Sequence, residues 1–336
     1  MSSVDVIVPC YNYGKYLRQC VESVLAQEGV DVRVLVIDDA SQDDTPAVAT
    51  DLSAKDARVS YRRHERNLRH IATYNEGIEW VSAQYYLLLS ADDFLLPGAL
   101  RRAAEMMDAE PALGFCYGAA YEVFPDGRLE RALAEFAPTD GDRSDSMAGR
   151  AFIELCCRHG SMNIVSTPTA VVRTSLQKRT DGYRPDLTHT GDLELWMRLA
   201  AHAKVGYVGV PQATYRRHAS NMSLAYIGAN RIQDLRQREQ AVNWLIRSCA
   251  HMLPDAHALQ QSLLKPLAYQ AASCASVSLN AGRPDVAGEF IDFAKSVFPG
   301  VVFSTTWLRL SCKKLIGRRA SGALLSARDA VRRMAG

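Results

Sequence analysis

The first hundred residues alternate short β-branched runs with segments whose apolar residues recur at helical spacing, and this alternation constrains the fold more than any other feature. Residues 4–8 and 32–37 are the clearest predicted strands, and residues 16–27 between them predict an amphipathic helix. The same patterns predict strands over 59–62, 85–89, 115–124, 169–173 and 205–208, and helices over 71–82, 100–109 and 192–202. Strands that alternate with helices predict an α/β fold with a mostly parallel sheet, whose ligands bind beyond the carboxyl ends of the strands.

The last third of the chain has a different character. From about residue 232 the pattern is helical, and residues 258–279 and 285–297 predict an antiparallel helix pair joined by a turn with Gly282 and Pro284. A chain of 336 residues is long enough for two domains. We therefore predict an α/β domain over 1–225 and a helical C-terminal region with a basic tail over 226–336. The polar residues 138–149 predict a surface loop.

Charge and cysteine content disfavour several classes of protein. The 39 basic and 37 acidic residues nearly cancel, so we expect no nucleic-acid partner that covers the whole surface. The eight cysteines include no C-x-x-C pair, which predicts reduced thiols and no zinc site. The sequence shows no secretory signal and no run of about 20 apolar residues that would span a membrane, so we expect a cytoplasmic protein.

Polar or acidic residues follow three of the predicted strands. Tyr11–Asn12 follows the first strand, Asp38–Asp39 the second, and Asp92–Asp93 the Leu-rich strand. The common preference of β-α turns for Asn and Asp explains each cluster taken alone. Because the carboxyl ends of parallel strands meet at one edge of a sheet, three such clusters together favour a ligand site.

Five blocks of sequence carry a likeness to a known family. They are VDVIVPCYN at 4–12, VIDDAS at 36–41, NEGI at 75–78, LSADD at 89–93 and DLELWMRL at 192–199. In this order they closely resemble the family 2 glycosyltransferases. The resemblance extends over roughly the first two-thirds of the chain. The resemblance implies the GT-A fold, a nucleotide-sugar donor, a divalent metal ion and inversion at the anomeric carbon.

The resemblance implies a metal ion, Mg²⁺ or Mn²⁺, held by Asp92, with His218 completing the metal shell. Carboxylates are natural ligands of such ions, and the ion offsets the charge that grows on a diphosphate leaving group. Asp93 would orient the sugar or a metal-bound water, and Arg217 would contact phosphate. Family members usually carry an acid two residues before Asp92, where this chain has Ser90.

The resemblance also implies a set of donor contacts. Asp39 resembles the residue that accepts a hydrogen bond from the imino N–H of a pyrimidine base. Pro9 and Tyr11 stand where backbone and ring would flank that base, although packing explains Tyr11 equally well. The complete predicted set of nucleotide-sugar-binding residues is Pro9, Tyr11, Asn12, Asp38, Asp39, Asn75, Asp93 and Arg217.

Asp192 matches the position of the catalytic base, which would take a proton from the acceptor hydroxyl as that oxygen attacks the anomeric carbon. An ordinary Asp pKa of about 3.9 keeps such a base ionised at pH 7. Glu194, two residues further along the chain, is the competing candidate. A structural role also remains open, because Asp192 stands where it can cap the helix that begins there.

The C-terminal tail is strongly basic and partly apolar. Its Lys and Arg residues are opposed by Asp329 alone; they are Arg309, Lys313, Lys314, Arg318, Arg319, Arg328, Arg332 and Arg333. The apolar residues of the segment are Trp307, Leu308, Leu310, Leu315 and Ile316. The pattern is typical of peripheral contact with an anionic membrane, here its inner face, and equally of a solvated helix.

These observations predict an inverting, metal-dependent glycosyltransferase. It would move a sugar from a UDP- or dTDP-linked donor to a hydroxyl of a glycan or lipid-linked acceptor in cell-surface polysaccharide synthesis. The alternative from another class is a catalytically silent homologue that acts as a scaffold or carbohydrate-binding subunit, which Ser90 and the helical C-terminal region suggest. A nucleotidyltransferase would need a Gly-rich basic loop after the first strand and a dehydrogenase a G-x-G-x-x-G turn, and residues 9–12 offer neither.

Overall fold

The computed structural model describes residues 1–133, 136–139, 141–226, 231–311 and 313–314, and these form two compact units. The first unit contains Met1–His159, Asn163–Leu224 and His251–Leu253. The second contains Gly160–Met162, Ala225–Ala250 and the chain from Pro254 onward. The boundary expected at residue 225 concerns domains that fold independently, and it stays a prediction.

The first unit combines a mixed sheet with helices, which confirms the α/β class. Its strands are β1 (Ser2–Cys10), β2 (Val30–Asp38), β3 (Val59–Arg63), β4 (Tyr85–Leu88), β5 (Phe94–Leu95), β6 (Leu113–Val123), β7 (Leu129–Ala132), β8 (Asp145–Met147), β9 (Val171–Arg173) and β10 (Lys204–Arg216). Its helices are α1 (Gly14–Leu25), α2 (Thr45–Lys55), α3 (His70–Trp80), α4 (Ala99–Ala109), α5 (Gly149–Arg158), α6 (Thr174–Gln177) and α7 (Gly191–His202).

In the described residues the sheet has ten strands, in the order β3-β2-β1-β4-β9-β6-β10-β5, with β7 beside β6 and β8 beside β10. The strands β1 to β4 run parallel to one another, and the antiparallel β9 connects them to the parallel pair β6 and β10. The valines of β1 and β2 are buried in one core with α1, whose Leu17, Val21 and Val24 recur at helical spacing. This core fixes the strand ends that carry the acidic clusters.

Two sequence predictions, one about a strand and one about a loop, were wrong. The strand predicted over 205–208 extends through Arg216, with a register shift between Val208 and Ala213 against β6. Pro211 lies in this irregular stretch, where a missing N–H is tolerated, and it hides the continuation of the strand from pattern reading. The loop predicted over 138–149 contains β8, whose polar residues pair with Val205–Tyr207 of β10 through backbone hydrogen bonds.

The second unit is helical, as predicted. Its helices are α8 (Arg231–Cys249), α9 (Ala256–Asn280) and α10 (Pro284–Val297). Helices α9 and α10 pack against each other, and their buried residues include Ala271, Phe290 and Ala294. No described helix is both long and apolar enough to cross a bilayer. Most of the basic tail, from Leu315 onward, lies outside the described residues.

Candidate active site

The parallel strands β1, β2 and β4 deliver the three predicted clusters to one edge of the sheet. Cys10 and Asp38, the last residues of β1 and β2, are directly paired, and Ile7 pairs with Leu88 at the end of β4. The backbone N–H of Asp39 then donates to the carbonyl of Cys10 (2.9 Å). The polar residues that follow these strands are therefore neighbours in space.

Asp38 is completely buried and holds its own turn. Its Oδ1 accepts a hydrogen bond from the backbone N–H of Ser41 (2.8 Å), and its Oδ2 accepts one from the Tyr61 hydroxyl (3.1 Å). The Arg63 guanidinium lies 3.3 Å from the same Oδ2. These contacts make Asp38 a residue that shapes the loop after β2.

Asp39 accepts hydrogen bonds from a second loop, the one between β3 and α3. Oδ1 accepts from the backbone N–H of Leu68 and contacts His64 Nδ1, each at 2.7 Å, and Oδ2 accepts from the backbone N–H of Arg69 (2.9 Å). A carboxylate oxygen can accept two hydrogen bonds. Among the described donors only Arg69 reaches Oδ2, so this oxygen keeps one acceptor position for a ligand.

His64 bridges Asp39 and Glu76, with Nε2 lying 2.7 Å from Glu76 Oε2. Burial of the imidazole opposes its protonation, but the hydrogen bonds to Asp39 and Glu76 outweigh burial and raise the pKa of His64 above its ordinary value. When both ring nitrogens carry protons, both can donate to the two carboxylates. His64 was not predicted, because no spacing in the sequence links it to residue 39.

The loop after β1 brings Tyr11 to the surface and holds Asn12 in a turn. Tyr11 is 45% exposed, so its ring is accessible to a ligand. Asn12 adopts a positive φ of 59°, its N–H donates to Ser41 Oγ (2.9 Å), and its side-chain oxygen accepts from the Gln42 N–H (2.8 Å). Pro9 is buried in the last part of β1. Asn12 thus joins the loops after β1 and β2.

Asp92 and Asp93 are both buried beside the end of β10. Asp92 Oδ2 lies 3.0 Å from His218 Nε2, whereas its Oδ1 is buried and has no hydrogen-bond partner. Asp93 Oδ1 accepts from the backbone N–H of Arg216 (2.9 Å). Burial raises the pKa of Asp93 well above its ordinary value, and the charge of Asp92 adds to the shift.

Aromatic side chains of α1 and the loop before it pack against His218. The His218 ring stacks on Tyr16 with centroids 5.7 Å apart, and Tyr13 meets it edge-on at 5.5 Å. The guanidinium of Arg216 lies over the Tyr16 ring (4.5 Å) and donates to the Asp92 carbonyl (2.9 Å). These contacts hold the end of β10 and the residues after it against Asp92. The spacing of Tyr13 and Tyr16 is the sequence feature that could have indicated this aromatic contact.

Asp92 and His218 fit a divalent cation, because the orphaned Oδ1 of Asp92 is an oxygen ligand without any other function. Within the described part of the chain, no three His, Cys, Asp or Glu side chains are grouped to hold a metal ion. A cation bound by Asp92 and His218 would therefore need diphosphate or water oxygens as further ligands. Arg217, the predicted phosphate contact, is paired with Glu122 Oε1 (2.5 Å).

Asp192 lies in the first turn of α7, and hydroxyl groups hold its carboxylate. Oδ1 accepts from the Tyr183 hydroxyl (2.8 Å) and Oδ2 from the Thr167 hydroxyl (3.0 Å). Thr190 occupies the N-cap position of α7 and Asp192 is the second residue of the helix, so Asp192 is not the N-cap residue. Burial raises the pKa of Asp192 above its ordinary value, although the two hydroxyl groups act in the opposite direction.

Glu194 has a different environment from Asp192. It is completely buried and forms a bidentate pair with Arg198, with Nε to Oε1 at 2.8 Å and Nη2 to Oε2 at 3.0 Å. Arg198 is also buried and donates to the carbonyls of Asp181 and Gly182. Glu194 is therefore engaged in fixing α7 to the segment before it.

Asn75 acts on the same segment. Its side-chain amide donates to the Tyr183 carbonyl (2.9 Å), and its oxygen accepts from the Tyr183 N–H (2.7 Å). Gly182 allows this approach, because a Cβ at that position would lie 2.2 Å from Asn75 Oδ1. Asn75 thus positions Tyr183, whose hydroxyl contacts Asp192. A direct contact of Asn75 with the donor stays a prediction.

Tyr74 connects the two ends of the site. Burial raises the pKa of its phenol, and the charges of Asp192 and then Asp92 raise it further. Its ring also packs edge-on against Tyr183, with centroids 5.2 Å apart. Asp192 and Asp92 therefore lie close enough to influence one side chain, although 100 residues separate them along the chain.

Comparison with known proteins shows the family of the chain. A family model described as glycosyl transferase family 2 matches residues 5–178, more than half of the chain. An uncharacterized protein of Mycobacterium tuberculosis is 27% identical over 245 residues, which cover 72% of this chain and 75% of that protein. The succinoglycan biosynthesis protein ExoO of Rhizobium meliloti is 38% identical over 109 residues, which cover 32% of this chain and 31% of that protein.

Solved structures show the same fold. Residues 1–349 of S. aureus TarS bound to UDP superpose with a TM-score of 0.59 at 16% identity, covering 89% of this chain and 90% of that one. The complex of TarS with UDP-GlcNAc gives 0.57 at 17% identity, covering 89% and 91%. A Pyrobaculum calidifontis mannosyltransferase with GDP-Man and Mn²⁺ gives 0.50 at 16% identity, covering 88% and 87%. The chain has the GT-A fold and belongs to glycosyltransferase family 2.

Proposed function

We propose that this glycosyltransferase is inverting and metal-dependent, with Asp192 as its base and Asp92 at the leaving-group end of the donor. The observation that carries the proposal is the buried Asp92 Oδ1 without a hydrogen-bond partner, on a carboxylate that His218 contacts through the other oxygen. A single displacement needs a base on one side of the anomeric carbon and charge stabilisation on the other. Asp192 is proposed to meet the first requirement and Asp92 the second.

The donor is proposed to be UDP- or dTDP-linked. The remaining acceptor position on Asp39 Oδ2 suits the imino N–H of uracil or thymine, and the exposed Tyr11 ring is available to cover the base. TarS, which has the same fold, binds UDP and UDP-GlcNAc. The mannosyltransferase neighbour binds GDP-Man, so a purine nucleotide is the competing possibility that a binding assay must address.

The reaction proceeds in one displacement. An acceptor hydroxyl oxygen forms a bond to the anomeric carbon while its proton passes to Asp192, and the bond from that carbon to the diphosphate breaks with its electron pair leaving on the diphosphate. Tyr183 and Thr167 hold the Asp192 carboxylate in place. Because burial raises the pKa of Asp192, its carboxylate is a stronger base than that of an ordinary Asp.

The leaving diphosphate is proposed to lie beside Asp92 and His218. Mg²⁺ or Mn²⁺ bound there would supply the positive charge that offsets the growing charge of the diphosphate. Arg217 would add a phosphate contact after exchanging Glu122 for the ligand. Arg216 holds both acids in position by donating hydrogen bonds to the Asp92 carbonyl and the Asp93 carboxylate.

The acceptor is proposed to be a glycan or a lipid-linked saccharide in cell-surface polysaccharide synthesis, since one relative is named for succinoglycan biosynthesis. Buried free thiols at Cys10, Cys20 and Cys116 support a reducing compartment, and we place the enzyme in the cytoplasm. A lipid-linked acceptor would bring it to the inner face of the membrane.

A second candidate function is a catalytically silent binding subunit. It is favoured by Ser90 and by the lack of a three-residue metal cluster in the described ranges. The test measures nucleotide release from a panel of UDP-, dTDP-, GDP- and ADP-sugars with Mg²⁺ or Mn²⁺. Metal-dependent release from a pyrimidine donor supports the enzyme, preferential use of a purine donor contradicts the role of Asp39, and binding without any release supports the silent subunit.

A further inference from the structure

The second unit presents an exposed apolar surface near the end of the described chain. Phe303 is 92% exposed, Leu308 is 64% exposed and Val302 is 36% exposed. Side chains of this type are normally buried, and groups of exposed ones mark interaction sites. These three residues, Val302, Phe303 and Leu308, lie close together in the sequence, and we name them the apolar patch.

Local structure keeps the patch in solvent. A single 3₁₀ turn over Pro299–Phe303 follows α10, and Val301 within it is buried. The Ser304 hydroxyl oxygen then accepts a hydrogen bond from the Trp307 backbone N–H (3.1 Å), and a helix begins at residue 305. Val301 and Leu310 are buried on either side of the patch, whereas the patch between them is exposed.

Basic residues flank the patch. From residue 293 to residue 328 the sequence contains seven Lys or Arg residues and no Asp or Glu. Arg309 and Lys314 are exposed, and Lys313 Nζ donates to Ser276 Oγ on α9 (2.7 Å). Val277, the next residue on α9, is 63% exposed, which adds apolar surface beside Lys313.

We propose that the apolar patch, together with Arg309 and Lys314, docks on an anionic lipid bilayer. An exposed aromatic ring with aliphatic neighbours suits the boundary between headgroups and acyl chains, and Lys and Arg attract anionic headgroups. A second copy of the chain would bring like charges together, so charge complementarity favours lipid. The inference rests on the proposed lipid-linked acceptor for its biological purpose, but the binding itself requires no sugar transfer.

The test is sedimentation of the full chain with vesicles of phosphatidylglycerol and phosphatidylcholine. Combined Phe303→Ser and Leu308→Ser substitutions should reduce the vesicle-bound partition coefficient at least about tenfold. Leu129→Ser, at a residue 59% exposed in the first unit, is the matched control and should leave binding unchanged. Combined Arg309→Ser and Lys314→Ser substitutions should cost about fivefold per charge and weaken the salt dependence.

Several results would overturn the proposal. They are failure of the full chain to sediment, equal binding to pure phosphatidylcholine vesicles, or equal loss in Leu129→Ser. Light scattering tests whether a second copy of the chain binds the patch instead. If the patch substitutions convert a dimer to a monomer and leave lipid binding unchanged, the patch serves self-association. Thermal unfolding verifies that each variant is folded. Nucleotide release from a soluble donor, measured on the same preparations, tests the proposed function separately from lipid binding.

Discussion

The acids that follow β2 and β4 are almost equally buried, but their oxygens have different partners. Asp39 is 4% exposed and its oxygens contact three donors, whereas Asp92 is 5% exposed and one of its oxygens has no partner. Burial of a carboxylate is costly unless donors or a cation compensate. The Asp39 cluster is therefore stable without a ligand, whereas the Asp92 cluster is completed only by binding. In the proposed mechanism the first cluster binds the base and the second holds the charge of the diphosphate.

Asp192 and Glu194 of α7 also differ in their partners, because neutral hydroxyl groups hold Asp192 whereas the Arg198 guanidinium pairs with Glu194, and this difference predicts the largest effect. Asp192→Asn keeps the size of the side chain but cannot take the acceptor proton, so turnover should fall at least about 10²-fold. Donor affinity should stay within a few-fold of wild type, as measured by calorimetry. Retained turnover in this variant would remove Asp192 from the mechanism.

Glu194→Gln is the matched control for that substitution. It leaves Arg198 as a buried guanidinium without its charged partner, so the free energy of unfolding should fall by about 3–5 kcal/mol. The rate per folded molecule should change much less than in Asp192→Asn. If Glu194→Gln is instead the inactive variant at full stability, the two acids exchange roles.

Alanine at Asp39 and at Asp92 should have unequal effects on stability without divalent metal. Asp39→Ala removes the acceptor of Leu68, Arg69 and His64, so the free energy of unfolding should fall by about 3 kcal/mol. Asp92→Ala removes a buried charge that lacks full compensation, so its change should stay within about 1 kcal/mol. Urea denaturation measures the free energy of unfolding of both variants. Equal losses would contradict the difference between the Asp39 and Asp92 clusters.

His64 should make the stability of the Asp39 cluster depend on pH. Because the pKa of His64 is raised on folding, its stabilisation is fully present below its ordinary pKa of about 6.5 and is lost as pH rises through the folded value above that. Replacing it by Gln should remove this component. Between about pH 6 and about pH 8.5, the free energy of unfolding measured in urea should therefore fall more in wild type than in His64→Gln. Equal falls in the two proteins would exclude the bridge to Asp39 and Glu76.

The smallest effect is expected at Arg69, whose N–H contacts Asp39. Its φ of 70° and ψ of 161° belong to a region that glycine adopts readily and other residues rarely do. Arg69→Gly should raise the free energy of unfolding by about 0.5–1 kcal/mol, because relief of strain exceeds the entropy that glycine loses on folding. A lower melting temperature in this variant would show that the loop is not strained at Arg69.

Local patterns predicted the parts of the site that follow strand ends. Asp38, Asp39, Asp92 and Asp93 stand directly after runs of buried β-branched or leucine residues, so strand periodicity alone places them at one edge. The contact of Asn75 with Tyr183 joins residues 108 apart, and that of His64 with Asp39 joins two loops. No short-range pattern encodes such contacts, since they depend on how α3 and α7 pack on the finished sheet.

In the proposed mechanism Asp39 and Asp92 bind the two ends of one donor. Calorimetric titration of UDP, with and without Mn²⁺, into wild type, Asp39→Asn and Asp92→Asn tests it most directly. Asp39→Asn should weaken binding by a similar factor under both conditions, whereas Asp92→Asn should keep the metal-free affinity and lose the enhancement by Mn²⁺. Full Mn²⁺ enhancement in Asp92→Asn would contradict the proposed role of Asp92, and unchanged UDP affinity in Asp39→Asn would contradict that of Asp39.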